Sequence, residues 1–142
     1  MLFDGYLGRP EATAETWTDD GWFVTGDLAT RDEHGFHRLV GRASTDLVKS
    51  GGYRIGTGEI EAALLDHPAV EEVAVVGLPD DDLGQRVAAF VVTATPARAG
   101  LEAELVDLVA SQLSWHKRPR QVVFVDSLPR NAMGKVQKTL LG

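Results

Sequence analysis

The chain has 142 residues, 44% of them hydrophobic and 25% charged, and it contains no cysteine. These proportions are those of a folded globular protein, and they exclude global disorder, disulfide bonds and thiolate chemistry. A formal net charge of −7 argues against nucleic-acid and anionic-membrane binding, and the lack of an apolar run of about 20 residues or a basic N-terminus predicts a cytoplasmic protein without a signal peptide.

The N-terminal part of the chain predicts a weakly folded, β-rich segment. Residues 1–20 carry no clean period and are predicted as a loop with at most a helical turn, because glycine, proline and polar side chains dominate there. Residues 21–24 and 36–40 are short apolar and aromatic runs that predict two strands. Two strands do not make a stable core alone. We therefore expect this segment to pack on the rest of the chain or on partners outside it.

The middle of the chain predicts a hairpin followed by a helix. Gly51 and Gly52 indicate a β-hairpin over residues 46–55, because a type I′ turn needs positive φ at both central residues. Thr57 is predicted as the N-cap of a helix over residues 58–67, whose apolar side chains form one stripe. Pro68 then ends the helix.

The remaining residues predict an α+β domain. Apolar runs indicate strands over 70–77, 86–94 and 121–125, and an amphipathic period indicates a helix over 101–113. This order of elements favours a three-stranded sheet covered by helices, with the hairpin beside it.

Two charged stretches need separate interpretation. Asp80, Asp81 and Asp82 fall in a predicted loop over residues 78–84, and three successive side chains rarely converge on one cation. We therefore predict a solvated acidic turn and no metal site. Residues 115–120 form a basic cluster, which either complements the dipole at a helix end or binds phosphate.

Four motifs in the sequence allow comparison with a known family. In chain order they read GWFVTGD (21–27), GRASTDLVKSGGYRIGTGEIE (41–61), HPAV with VVGLPD (67–80), and KRP with LPRNAMGK (117–135). Together they resemble the AMP-forming acyl-activating enzymes, the superfamily of acyl-CoA synthetases, luciferases and peptide-synthetase adenylation domains. The resemblance covers essentially the whole chain, and it is strongest to malonyl-CoA synthetases through residues 44–53, 80–86 and 116–120.

The resemblance implies the C-terminal part of an enzyme that converts a carboxylate, ATP and CoA into acyl-CoA, AMP and pyrophosphate. Mg²⁺ is expected with ATP. Residues 1–41 are then expected to be the end of the large N-terminal AMP-binding domain, and residues 42–142 the small C-terminal lid domain. The lid rotates on a hinge between the adenylation and thioester-forming half-reactions. The hinge is expected within residues 43–46, and Asp46 is our candidate because it alone is charged.

Two residues are implied to bind nucleotide. Asp27 resembles the aspartate whose carboxylate accepts hydrogen bonds from the ribose hydroxyls, and its alternative role is a cap of the turn after Gly26. Arg42 resembles the arginine that contacts the ribose or a phosphate.

Two further segments are implied to act in the separate half-reactions. Gly51, Gly52, Tyr53 and Arg54 resemble the loop that lines the CoA tunnel, and the alternative is an ordinary hairpin turn. Lys135 resembles the catalytic lysine of adenylation, whose ammonium stabilises charge between the carboxylate and the α-phosphate. The alternative for Lys135 is a solvent-exposed lysine without a function.

The sequence does not contain the Ser/Thr/Gly-rich phosphate loop of this superfamily or its acyl pocket, so the isolated chain is expected to be inactive. The implied partners are ATP or AMP, CoA, a small malonate-like acid and an N-terminal AMP-binding domain. Two alternatives stay open: a non-catalytic, free-standing lid that acts as a binding module, and a fragment of a peptide-synthetase adenylation domain.

Overall fold

The computed structural model describes residues 3–42 and 44–142, which form an α+β fold. The helices are α1 (Pro10–Ala14), α2 (Thr57–Leu65) and α3 (Leu101–Gln112). The strands are β1 (Asp27–Arg31), β2 (His37–Arg42), β3 (Leu47–Ser50), β4 (Tyr53–Gly56), β5 (Val70–Asp80), β6 (Gly84–Thr93) and β7 (Gln121–Phe124). Short 3-10 helices lie at Trp115–Lys117 and Lys138–Leu140. No helix within these residues is long and apolar enough to cross a membrane.

The N-terminal ribbon differs in part from the prediction. The strand expected over 36–40 is present as β2, but the strand expected over 21–24 is wrong, since Phe23 there forms only an isolated bridge with Trp17. The ring of Phe23 instead packs edge-on against Phe3 and Trp17. The antiparallel partner of β2 is β1, which the sequence did not predict because only Leu28 of β1 is even half-buried.

The predicted hairpin is confirmed. Gly51 and Gly52 have φ values of 55° and 84°, and β3 pairs with β4 in an antiparallel ladder around them. The predicted strands form the centre of the sheet, where β6 pairs antiparallel with β5 and parallel with β7. A single pairing, Ser50 with Gly84, adds the hairpin to this sheet and gives it five strands.

Helices α2 and α3 pack with the sheet in one hydrophobic core. Ile60 and Leu64 of α2, Leu105 of α3 and Val75 of β5 are all fully buried in it. The predicted N-cap role of Thr57 is wrong: Gly56 is the N-cap, and Thr57 is the first helical residue. The Thr57 side chain is fully buried and its hydroxyl oxygen accepts a hydrogen bond from another part of the chain, so it does not cap the helix.

The acidic loop is shorter than predicted, because β5 continues to Asp80 and pairs there with Gly84. Pro79 lies within β5, which is at one end of the sheet order, the position in a sheet where proline is tolerated. The Asp80 carboxylate then accepts hydrogen bonds from the N–H groups of Asp82 and Leu83, which closes the turn.

Candidate functional site

The structure brings the two predicted nucleotide-binding residues together. Asp27 begins β1 and Arg42 ends β2, and the two residues are directly opposed in the antiparallel ladder. The Nε atom of Arg42 lies 3.2 Å from Oδ1 of Asp27. Arg42 is 64% exposed and Asp27 36% exposed, so both side chains remain accessible. An exposed pair of this kind contributes little to stability, and its polar atoms are available to a ligand.

Asp46, the predicted hinge residue, is the neighbour of this pair. Its Oδ2 atom accepts a hydrogen bond of 2.9 Å from the backbone N–H of Arg42. Its own N–H donates to the carbonyl oxygen of Arg42 at 2.8 Å, and its carbonyl oxygen accepts from the N–H of Thr57. The backbone and the side chain of Asp46 therefore both link the end of β2 to the start of α2.

A lysine from the far end of the chain completes this region. The ammonium nitrogen of Lys138 lies 2.6 Å from Oδ1 of Asp46 and 2.8 Å from Oε1 of Glu61. Burial acts to raise the pKa of Asp46, but the hydrogen bonds from the Lys138 ammonium and the Arg42 N–H, with the Lys138 charge, outweigh it and lower the pKa. Sequence reasoning missed Lys138 and Glu61, because no local spacing joins residues so far apart.

Lys135 directly follows a tight turn over residues 132–134. The side-chain oxygen of Asn131 accepts hydrogen bonds from the N–H groups of Met133 and Lys135, each at 3.0 Å. The guanidinium of Arg130 donates to the carbonyl oxygen of Gly134 at 2.7 Å, and Gly134 has a φ of 80°. The turn is therefore held by its own residues, whereas the Lys135 side chain is exposed.

Arg130 also ties this turn to the sheet, since its guanidinium forms an ion pair with Glu72 of β5. Within residues 3–42 and 44–142, Lys135 forms no ion pair, and it makes no hydrogen bond to Asp27 or Arg42. The structure thus presents the Lys135 ammonium to solvent on a turn whose backbone is fixed.

The predicted CoA-tunnel residues occupy the hairpin turn between β3 and β4. A Cβ atom added at Gly52 would meet no atom within 4 Å, so the turn is open on that side. The ring of Tyr53 stacks on His116, with centroids 4.1 Å apart and an angle of 12° between the planes. The sequence had treated the turn and the basic cluster as separate features, and His116 was named only as part of that cluster.

The fourth tunnel residue, Arg54, lies at a cleft of about 650 Å³ between the β1–β2 ribbon and the start of α2. From the ribbon the cleft is lined by Thr30, Arg38 and Leu39, and from the other side by Arg54, Gly56, Gly58, Glu59 and Lys117. Lys117 is held there by an ion pair with Glu59, in which nitrogen and oxygen are 2.7 Å apart. The basic cluster therefore contributes to a polar cleft.

Comparison with known proteins gives a consistent result. The family model of the AMP-binding enzyme C-terminal domain matches residues 59–135. A probable CoA ligase of Humulus lupulus is 44% identical, and a malonate–CoA ligase of Arabidopsis thaliana is 41% identical, each over 96% of this chain. The chain spans about a quarter of the length of these relatives, since each alignment covers 24% of the relative.

Solved structures show the same likeness. MatB from Rhodopseudomonas palustris with ATP bound is 42% identical and superposes with a TM-score of 0.84, over 99% of this chain and 27% of that one. The apo form of MatB, aligned over 99% of this chain and 28% of its own, gives only 0.70. A malonyl-CoA ligase in a ternary product complex with methylmalonyl-CoA and AMP is 56% identical, yet its TM-score is 0.60 over 91% and 28% of the two chains. Similarity in shape thus does not follow sequence identity among these structures.

Proposed function

This chain belongs to the family of AMP-binding enzyme C-terminal domains, and we propose that it is the C-terminal part of an ATP-dependent, AMP-forming acyl-CoA ligase. The acid is malonate or a similar small carboxylate, because a malonate–CoA ligase and a malonyl-CoA ligase are among the relatives. The observation that carries the proposal is the fixed turn that presents Lys135, with its side chain exposed to solvent.

In the first half-reaction, Lys135 is the catalytic residue. A carboxylate oxygen attacks the α-phosphate of ATP, and pyrophosphate leaves with its electron pair, so negative charge builds on the oxygens between them. The ammonium of Lys135 donates hydrogen bonds to that charge. A fixed donor of this kind is worth about 2.7–4 kcal/mol in the transition state, and the Asn131 hydrogen bonds to the turn support such fixation.

Asp27 and Arg42 bind the nucleotide. The carboxylate of Asp27 accepts hydrogen bonds from the ribose hydroxyls, while the adjacent guanidinium of Arg42 faces the ribose or a phosphate. Their separation of 3.2 Å supports a joint role, because it places a hydrogen-bond acceptor and a hydrogen-bond donor side by side, both accessible to a ligand.

Rotation about Asp46 separates the two half-reactions. The hydrogen bonds between Asp46 and Arg42 lie at the junction of the two parts that we assign to residues 1–41 and 42–142. The two MatB structures support a rotation: they are the same protein, yet their TM-scores against this chain are 0.84 and 0.70.

In the second half-reaction, the thiol of CoA attacks the acyl-adenylate and AMP leaves. Gly51 and Gly52 allow the pantetheine arm to pass close to the backbone of the hairpin turn, and Tyr53 and Arg54 flank that path. Mg²⁺ is expected to arrive with the ATP phosphates. No group of three or more acidic or histidine side chains in residues 3–42 and 44–142 is arranged to hold a metal, so we assign none of them to Mg²⁺. A cytoplasmic location stays a prediction from the sequence.

The test measures AMP release with ATP, CoA and malonate, by this chain alone and by a chimera in which the N-terminal part of MatB precedes it. We expect turnover only by the chimera, and loss of turnover on Lys135→Ala. Arg98→Ala is the matched control, because it removes the same charge from an exposed pair with Glu104 at the start of α3. A folded chimera that does not turn over would contradict the enzymatic assignment and favour a binding module.

A further inference from the structure

A single lysine holds three parts of the fold together. The ammonium of Lys138 contacts Oδ1 of Asp46 at 2.6 Å, Oγ1 of Thr57 at 2.9 Å and Oε1 of Glu61 at 2.8 Å. We call these four residues the Lys138 cluster. The Lys138 ammonium donates hydrogen bonds to Asp46 and Thr57 and forms an ion pair with Glu61. Only 16% of the Lys138 side chain is exposed, which is unusual for a lysine.

The cluster fixes the end of the chain to α2 and to the sheet. Thr57 and Glu61 lie one turn apart on α2, and the same Oε1 atom of Glu61 also accepts a hydrogen bond from the N–H of Val75 in β5. Lys138 is three residues after Lys135. The segment that carries Lys135 is therefore anchored behind it by Lys138, as it is anchored ahead of it by the Arg130–Glu72 ion pair.

Asp46 connects the cluster to the nucleotide pair. Its two carboxylate oxygens have different partners: Oδ1 accepts from Lys138, and Oδ2 accepts from the backbone N–H of Arg42. Because Lys138 fixes one oxygen, it also fixes the direction of the other. Arg42, which also pairs with Asp27, is thereby linked through one carboxylate to the segment of Lys135.

We propose that Lys138 is a positioning residue for adenylation, which orients the Asp46 carboxylate and so holds the lid in the arrangement where Lys135 serves the first half-reaction. This inference rests on the proposed function. It predicts a difference between the half-reactions: Asp46 is the proposed hinge residue, so loss of its bond to the Arg42 N–H is expected to disturb the adenylation arrangement and not the one adopted after rotation. General destabilisation of the lid would lower both rates alike.

Two substitutions separate the partners. Lys138→Met keeps the aliphatic length and removes every donor of the cluster. Asp46→Asn replaces two acceptor oxygens with one oxygen and one NH₂ group. The remaining oxygen still accepts from Lys138, whereas the NH₂ group cannot accept from the Arg42 N–H. Asp46→Asn thus breaks the link to Arg42 while it keeps an acceptor for Lys138, and it remains informative if Lys138→Met fails to fold.

The experiment uses the chimera and measures the two half-reactions separately. The first is pyrophosphate release from ATP and malonate without CoA, and the second is thioester formation from CoA and separately prepared acyl-adenylate. We expect Lys138→Met and Asp46→Asn each to lower the first rate on the order of tenfold to a hundredfold, the scale of a misplaced catalytic group. For Lys138→Met the second rate stays unchanged within error, and for Asp46→Asn, which also alters the proposed hinge residue, the first rate falls further than the second. Lys138→Arg keeps a cation at this position, so its first rate should lie between those of Lys138→Met and the wild type.

Three results would overturn the positioning role: equal losses in both half-reactions, no loss in the first, or losses for the two substitutions that simply multiply in the double variant. Coupled residues give a double variant little worse than the worse single one. Lys135→Ala in the same chimera tests the proposed function independently. If Lys135→Ala leaves the first half-reaction intact, the function assigned to Lys135 fails, whereas an intact rate for Lys138→Met and Asp46→Asn refutes only the positioning role.

Discussion

Lys138→Met should destabilise the chain far more than the loss of an ordinary surface charge. The substitution leaves the carboxylates of Asp46 and Glu61 facing each other without a cation, and the hydroxyl of Thr57 without its donor. The methionine side chain keeps most of the packing of the lysine stem, so the effect reports on the charge and its hydrogen bonds.

The magnitude follows from the burial of the partners. Removal of one member of a buried ion pair costs about 3–5 kcal/mol, because the other charge is left without compensation. Here 24% of the Asp46 side chain and 21% of the Glu61 side chain stay exposed, so water compensates part of that cost. We expect a loss of about 2–3 kcal/mol in the free energy of unfolding, from a total of about 5–15 kcal/mol for a typical domain.

The assay is urea denaturation of the purified chain, followed by far-UV circular dichroism at neutral pH. A loss of this size lowers the midpoint by about 0.7–3 M urea, given slopes of about 1–3 kcal/mol per M. Arg98→Met is the control: it breaks a pair with Glu104 that is well exposed, and it should leave the midpoint within experimental error. A Lys138→Met midpoint as close to wild type as that of the control would refute the reasoning.

Three further predictions concern stability. Leu105→Ala should cost about 2–5 kcal/mol in urea denaturation, because Leu105 is fully buried between the helices and the sheet and the change leaves a cavity; a loss below about 1 kcal/mol would show that the core collapses around it. Gly52→Ala should lower the free energy of unfolding by about 1–2 kcal/mol in the same assay, because alanine is strained in the left-handed backbone conformation. The added methyl group itself meets no neighbour, so a larger loss would mean that the turn is crowded. Asp46→Asn should lose stability at neutral pH but not in acid: the folded pKa of Asp46 is lowered from 3.8, so its contribution is full above that pH and disappears as the pH falls through the folded value. Thermal unfolding at several pH values checks this, and a wild-type advantage that persists in strong acid would contradict it.

The elements that the sequence predicted well are those whose signal is local. Helix α3 has its apolar residues at helical spacing, and the turn of Gly51 and Gly52 needs glycine at both positions, so both were found within a residue or two. Strand β1 has no such signal, because most of its side chains are exposed and it exists through its pairing with β2. Its position was therefore missed, although Asp27 at its first residue was already a candidate by resemblance.

The candidate site also contains contacts that have no local signal in the sequence. Resemblance nominated Asp27, Arg42 and Asp46 one by one, and the ladder between β1 and β2 brings the first two together. Lys138 and Asp46 are 92 positions apart, and no periodicity or motif spacing relates residues at that distance. Such a contact exists only in the folded chain, where the segment of Lys138 lies beside α2.

The role that we propose for Lys135 in a rotating domain requires that its backbone be fixed to that domain. Here Arg130 on one side is bound to Glu72 of β5, and Lys138 on the other side is bound to Asp46 and Glu61. The short segment between these anchors is folded into a turn by Asn131. The backbone of Lys135 is thus held to the sheet and α2, so the proposed rotation at Asp46 would carry this backbone with the rest of the proposed lid.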